Sequence, residues 1–173
     1  MTVIATYRRQ VGTPLTIKSS AGDAAITLAS LANGSYRQST KVNLGTPFAR
    51  EYAVYLYAEF AATPTSGNQM SLWANPSSSA TAATDNLGGC SGSDASYTGY
   101  SSNAAASVPH LQFVGSNTVT AQATTTVQKI FLGVWTPVRQ YNSFVLLNGA
   151  GAAFHSSDAN TVITLEPLPD TAE

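Results

Sequence analysis

Apolar and polar positions alternate with a period of two along most of this chain. The clearest run is Glu51 to Phe60: Tyr52, Val54, Leu56, Ala58 and Phe60 share one face, and Glu51, Ala53, Tyr55, Tyr57 and Glu59 share the other. Side chains alternate across a strand, so such a run buries one face and wets the other. Tyr and Val also suit a pleated surface. The pattern predicts a central strand with Val54, Leu56 and Phe60 buried, and Glu51 and Glu59 on the wet face. Shorter runs predict further strands at Thr2–Arg8, Pro14–Lys18, Ala25–Leu31, Tyr36–Asn43, Gln69–Ala74, His110–Val114, Thr118–Ala123, Thr126–Trp135, Ser143–Leu147 and Thr161–Glu166.

Turn chemistry separates many of these runs. Asn33-Gly34 is a hairpin signal, Gly115-Ser116-Asn117 divides two short runs, and Asn148-Gly149 closes another. No stretch keeps a period of 3.6 over three turns, and Ala104–Ala106 is too short for a helix that matters. Many short strands with Gly/Asn/Pro turns predict an all-β fold, an antiparallel β-sandwich of jelly-roll-like form.

Two regions stand apart. Pro76 to Ser107 is a 32-residue stretch without Val, Ile, Phe or Trp, and Leu87 is its only Leu. A segment of that length without structure is unusual inside a compact domain. The alternatives are a mobile solvated loop or a segment ordered by a partner, and Tyr97 and Tyr100 are its natural anchors. The N-terminal residues 1–22 read as an extended arm or a first strand, ahead of a single sandwich domain over 23–173. Val3, Ile4 and Tyr7 keep apolar character there beside Arg8-Arg9, which a merely solvated tail does not need. Val3, Ile4, Tyr7, Arg8, Arg9, Tyr97 and Tyr100 are therefore the candidate assembly contacts. An arm of this kind adds to a neighbour's sheet edge as a strand.

Composition sharpens this picture. At 173 residues one domain is the natural size, large enough to bury a core without staples. The single Cys90 forms no internal disulfide. A net charge of −1 with scattered basic residues argues against a nucleic-acid surface. The apolar runs are far shorter than the roughly 20 residues of a membrane helix, and the start shows no apolar leader region. Neither nucleic acid nor membrane is expected as a partner. Charged residues are 10% of the chain, against about 25% in ordinary soluble domains. Ala, Ser and Thr fill the gap. Such a surface suits a permanent assembly, because small neutral groups pack together without desolvating ions. An extracellular domain with a neutral surface is the other reading.

Catalytic and metal chemistry finds little support, so no enzyme, cofactor or metal is expected. His110 and His155 have no second His or Cys at ligand spacing, and zinc needs three or four such ligands. Gly88-Gly89-Cys90-Ser91-Gly92 is not a nucleophile elbow, and Cys90 reads as an inert or surface thiol. Glu51 and Glu59 fall about 26 Å apart on a straight strand, beyond any carboxylate dyad. Asn148-Gly-Ala-Gly151 lacks the third glycine and the helix of a dinucleotide loop. Asn33-Gly34-Ser35 is better read as a turn than as a glycosylation site, and Asp85 to Asp94 lacks calcium-loop spacing.

The stretch Ala25-Ile-Thr-Leu-Ala-Ser-Leu-Ala-Asn-Gly-Ser-Tyr-Arg-Gln-Ser39 resembles a recurring element of tailed-bacteriophage virion proteins, small β-sandwich or jelly-roll proteins of heads and sometimes tails. The likeness continues through Tyr52–Phe60, Ala61–Gly67, Val108–Val114, Phe144–Leu147 and Val162–Leu165. It is a pattern of strands and turns and transfers no site residues. The resemblance implies a structural part of a virion, a decoration protein of the capsid surface first of all. Such a protein binds the major capsid protein or other virion proteins as a homo-oligomer, for which three-fold symmetry suits capsid local symmetry. The rival is a carbohydrate- or receptor-binding sandwich that stacks Trp73, Tyr97, Tyr100 or Trp135 on sugar rings. Trp73 and Trp135 fall within strands, which favours a core position for both. A glycan hydrolase is the least supported reading.

Overall fold

The computed structural model describes residues 12–20 and 22–169. Its strands are β1 (Leu15–Ile17), β2 (Tyr36–Gln38), β3 (Val42–Asn43), β4 (Tyr52–Ala58), β5 (Gln69–Ser77), β6 (Ala95–Ser96), β7 (Gln112–Thr118), β8 (Gln128–Trp135), β9 (Tyr141–Gly149) and β10 (Val162–Pro167). Helix is confined, among the described residues, to one turn, α1 (Ala104–Ser107), between 3-10 turns at Tyr100–Ser102 and Val108–His110.

The fold is an all-β antiparallel sandwich. One sheet has the order β1-β10-β4-β8; the other runs β6-β2-β9-β5-β7, with β3 also paired to β9. The pairs are nested: β1 with β10, β2 with β9, β4 with β8 and β5 with β7. The chain is thus one long hairpin with arms 15–77 and 112–167, rolled so that successive nested pairs fall in opposite sheets. That is the strand order of an eight-stranded jelly roll. The apex of the hairpin is residues 78–111, nearly all of the low-complexity stretch.

Period-two patterning supplies the core. Val54, Leu56, Ile130, Ile163 and Leu165 of the smaller sheet meet Met70, Leu72, Phe144 and Leu146 of the larger one. β4 is central, between β10 and β8, and Val54, Leu56 and Phe60 are buried as the alternation predicts.

The edges of both sheets are short or covered. In β8 the register shifts past Leu132, and in β7 past Val114. Both extra residues are buried. A bulge bends its strand and increases twist, and these two face each other where β7 and β8 meet across the sheets. Asn117 Nδ2 donates to the Phe131 carbonyl (2.9 Å) and Gln112 Nε2 to that of Thr136 (2.8 Å) along this seam. A Cβ at Gly115 would collide with the Leu132 carbonyl, so glycine is what lets the strands touch. On the far side, the chain doubles back over β1: Asp23 N donates to the Thr16 carbonyl (2.7 Å) and Lys18 N to that of Ala24 (3.1 Å). A long unpaired edge is a pairing hazard, and only short runs remain here.

Several local expectations are corrected. Ala25–Leu31 keeps alternating burial but forms no strand. Its backbone bonds are scattered over side chains and separate carbonyls instead of one ladder, with Ala25 N donating to Thr40 Oγ1 (2.7 Å), Thr27 N to Asp94 Oδ1 (3.0 Å) and Ser30 N to the His155 carbonyl (3.0 Å). Tyr36–Asn43 splits into β2 and β3, because the Ser39 hydroxyl accepts from Phe144 N (2.9 Å) in place of a ladder carbonyl. Gly115-Ser116-Asn117 is not a turn but the middle of β7, and 119–123 is irregular. Asn33-Gly34 does turn, but it leads from an irregular segment into β2 and joins no hairpin. Asn148 is a buried tie for the loops at one end: its Nδ2 donates to the carbonyls of Leu31 (2.8 Å) and Ala152 (2.9 Å). His110 sits in a 3-10 turn before β7 rather than on a strand.

Candidate interaction faces

The apical segment is folded onto the outer face of the larger sheet by the chain's own groups. Cys90, Tyr97, Val108 and Leu111 bury there against Val145, with Tyr36, Trp73 and Ala104 packed around them. A segment with so few large side chains cannot hold itself by apolar area alone, and side chains from the strands bind its backbone instead. Gln38 Oε1 accepts from Ser91 N (2.7 Å), and its Nε2 donates to the Ser96 carbonyl (3.2 Å). Asn75 Oδ1 accepts from Leu87 N (2.8 Å). The Lys41 ammonium donates to Ser77 Oγ (2.8 Å) and to the carbonyls of Ser79 (3.1 Å), Thr81 (2.8 Å) and Thr84 (2.6 Å). Gly89 has φ +73°, and a Cβ there would press on the Gly99 backbone.

Asp94 locks β6 to the rest of the domain. Its carboxylate accepts from Thr27 N, from Thr27 Oγ1 (2.5 Å) and from Arg37 Nε (2.8 Å), and pairs with Arg37 Nη2 at 2.6 Å. Burial alone would raise its pKa, but the Thr27 and Arg37 donors outweigh it and hold the group below its ordinary value. Asp85 is also held low, by the Ser78 amide and hydroxyl. A depressed carboxylate stabilises the fold fully above its unfolded pKa, and that contribution is lost as pH falls through the folded value. Hydrogen-exchange protection across residues 90–97 should therefore fall on acidification below the ordinary Asp range. Asp94→Asn should show that loosening already at neutral pH; equal protection in the variant would remove Asp94 as the lock.

The structure sorts the candidate residues. Val3, Ile4, Tyr7, Arg8 and Arg9 lie outside the described residues. Tyr97 is 3% exposed and its hydroxyl donates to the Gly88 carbonyl (2.6 Å). Burial and the neighbouring Cys90 raise its pKa to about 12, so it stays a donor. Tyr97 thus serves an internal contact, whereas Tyr100 is 53% exposed beside His110, ring centroids 5.9 Å apart. Burial pushes the Cys90 thiol to about 12, which makes it unreactive while the segment stays closed. Trp135 is in the core, with Nε1 donating to Gln112 Oε1 (3.1 Å). Trp73 is not: it lies half-buried on the outer face, because the Leu72 side of β5 takes the core. Glu59 is a further correction. It is buried, not wet, and its carboxylate accepts from Asn160 Nδ2 (3.0 Å) where the chain leaves β4.

Two aromatic surfaces result. On the larger sheet Tyr97, Tyr36, Trp73 and Phe113 form a file with successive centroids 6.1, 6.3 and 5.8 Å apart. It is buried at Tyr97 and 57% exposed at Phe113. On the smaller sheet Tyr55 meets Phe131 at 5.3 Å, and Lys129 Nζ lies 4.2 Å from the Tyr55 centroid. Only part of this surface is legible in the sequence: Phe131 is out of phase with Ile130 and Leu132, whereas Val134 shares their phase and is turned outward by the bulge at Leu132.

Hollows on the surface are lined by Thr27, Ser30, Tyr36 and Arg37 near β6, by Asn117, Thr120, Gln122 and Gln128 at the β7–β8 loop, and by Arg50, Glu51, Leu168 and Pro169. Among the described residues no three His, Cys, Asp or Glu side chains cluster as metal ligands, and no helix is long and apolar enough to cross a membrane. No protein-family model, curated protein or solved structure matches this chain.

Proposed function

We propose that this chain is a structural component of a bacteriophage particle, a non-enzymatic decoration protein that stabilises the capsid surface by multivalent contacts. The observation that carries the reading is a charge-poor jelly roll with an apolar outer face: Phe131 and Val134 are 43% and 49% exposed on the smaller sheet, in a chain with 10% charged residues. A neutral face of this kind docks without stripping water from ions, and repetition over a shell turns modest contacts into firm attachment. Jelly rolls serve capsids, lectins and cupins alike, so fold supports the reading only as analogy. The edges affect how such a protein binds. An arm added as a strand meets runs of two or three residues at β6 and β1, so faces and side chains carry most of the docking on this domain.

The test is deletion of the gene from the phage that carries it. Heads should still assemble but rupture at lower temperature, and added protein should restore both stability and surface density. Purified particles that never contained the protein would end this reading. A second reading, a carbohydrate- or receptor-binding module, has Phe113 and Trp73 in its favour. Glycan-array binding lost on Phe113→Ala would support it.

A further inference from the structure

The tip of the apical segment, residues 78–86, contains only Ser, Ala, Thr, Asp and Asn, so it has no apolar core of its own. What it offers is oxygen. Ser77 Oγ and the carbonyls of Ser79, Thr81 and Thr84 converge on the Lys41 ammonium at 2.8, 3.1, 2.8 and 2.6 Å. An ammonium carries three protons, and four oxygens share them. One proton per oxygen is not available, so the ring answers to the charge as much as to the protons. Contacts among the ring's own residues hold its shape. Ser79 N donates to Ser77 Oγ (3.1 Å), Thr81 N to Ser79 Oγ (3.1 Å) and Thr84 N to the Thr81 carbonyl (3.2 Å). The Ser78 amide and hydroxyl fix the Asp85 carboxylate beside the ring (2.6 and 2.7 Å).

We propose that residues 77–84 form a binding site for a monovalent cation of potassium size, and that the Lys41 ammonium is that ion on a tether. All four ligands are neutral carbonyl or hydroxyl oxygens. Their distances exceed the roughly 2.3–2.6 Å of calcium and the roughly 2.0–2.1 Å of magnesium, and both of those ions favour carboxylates. Rings of backbone carbonyls take potassium in place of its water, and ammonium matches potassium in radius. Burial strips water from Lys41 and pushes its pKa below the ordinary value, against the charge of Asp85, which Arg139 also faces. The oxygen ring stands in for that lost water. The stem of Lys41 passes Gly92, where a Cβ would lie 3.0 Å from Lys41 Cε. Truncation at residue 41 therefore leaves an opening beside Gly92 that leads to the ring. The site stands whether or not the protein belongs to a virion.

Hydrogen exchange at the Ser79, Thr81 and Thr84 amides of the full chain tests it. In Lys41→Met and Lys41→Ala these amides should exchange about tenfold faster or more, the effect of losing a charged hydrogen-bonding centre. Lys41→Met keeps an apolar stem, so faster exchange with an unchanged urea midpoint separates loss of the ion from failure to fold. In Lys41→Ala, potassium chloride should restore protection and sodium chloride of equal concentration should not. The wild-type tip should be indifferent to the choice of salt. n-Propylammonium, the part of the side chain removed, should restore protection as well. A Lys41→Met tip as protected as the wild type overturns the proposal. So does a Lys41→Ala tip that potassium leaves unprotected, or one that sodium restores as well as potassium does.

Discussion

Replacing Phe144 with alanine is expected to destabilise the fold by about 3–5 kcal/mol, the cost of emptying a large aromatic site in a packed core. Phe144 is fully buried in β9. Its ring meets Trp135 edge-on at 5.1 Å, and Trp135 in turn meets Tyr52 at 5.8 Å. Phe144 belongs to the larger sheet and the other two to the smaller, so the contact spans the sandwich. The sheets are ladders with fixed spacing, and a hole between them cannot close by moving one side chain. Ala74, which is opposite Phe144 on β5, is too small to fill it. Total stabilities of such domains are about 5–15 kcal/mol, so the variant should be near the edge of folding. Urea titration reads the effect directly. A loss under about 1 kcal/mol would mean that the sheets do not pack through this residue.

Tyr97→Ala has a large effect of a different kind, because the satellite core it belongs to serves one segment. The substitution removes a ring buried among Cys90, Val108, Leu111 and Val145 and leaves the Gly88 carbonyl without its donor. A cost of about 3 kcal/mol or more follows from the ring alone. The apical segment can open without unfolding the sandwich, so the cost should appear first as local opening. Cys90 reports it, since its thiol is unreactive while buried. Labelling by a thiol reagent should speed up roughly a hundredfold, the equivalent of about 3 kcal/mol, while the global midpoint moves less. Unchanged labelling would show that Tyr97 does not hold the segment.

The same residue shows how far the sequence could be read. Tyr97 and Tyr100 stood out together as the anchors of a stretch with almost no other large side chains; Tyr97 is buried and holds it, whereas Tyr100 is 53% exposed. The partner of Tyr97 is the chain's own larger sheet, which composition could not reveal. The holding groups, Gln38, Lys41, Asn75 and Asp94, come from both within and outside the stretch, and Gln38 lies 53 residues from the Ser91 amide it accepts from. Nothing in a local window marks such a bond.

Alternation of side chains is a local property of the extended backbone, so the sequence alone determined the all-β class, the core face of β4 and the places of most strands. Only the tertiary structure decided which apolar phase became core and which became surface, as Trp73 and Trp135 show. That choice depends on which side of each strand meets the other sheet. It decided too that Gly115 lies at a strand contact rather than in a turn, that Glu59 is buried, and that the long neutral stretch is the folded apex of a rolled hairpin. Each of these depends on what lies across the sandwich, and strands distant in the chain meet there only once the roll has closed.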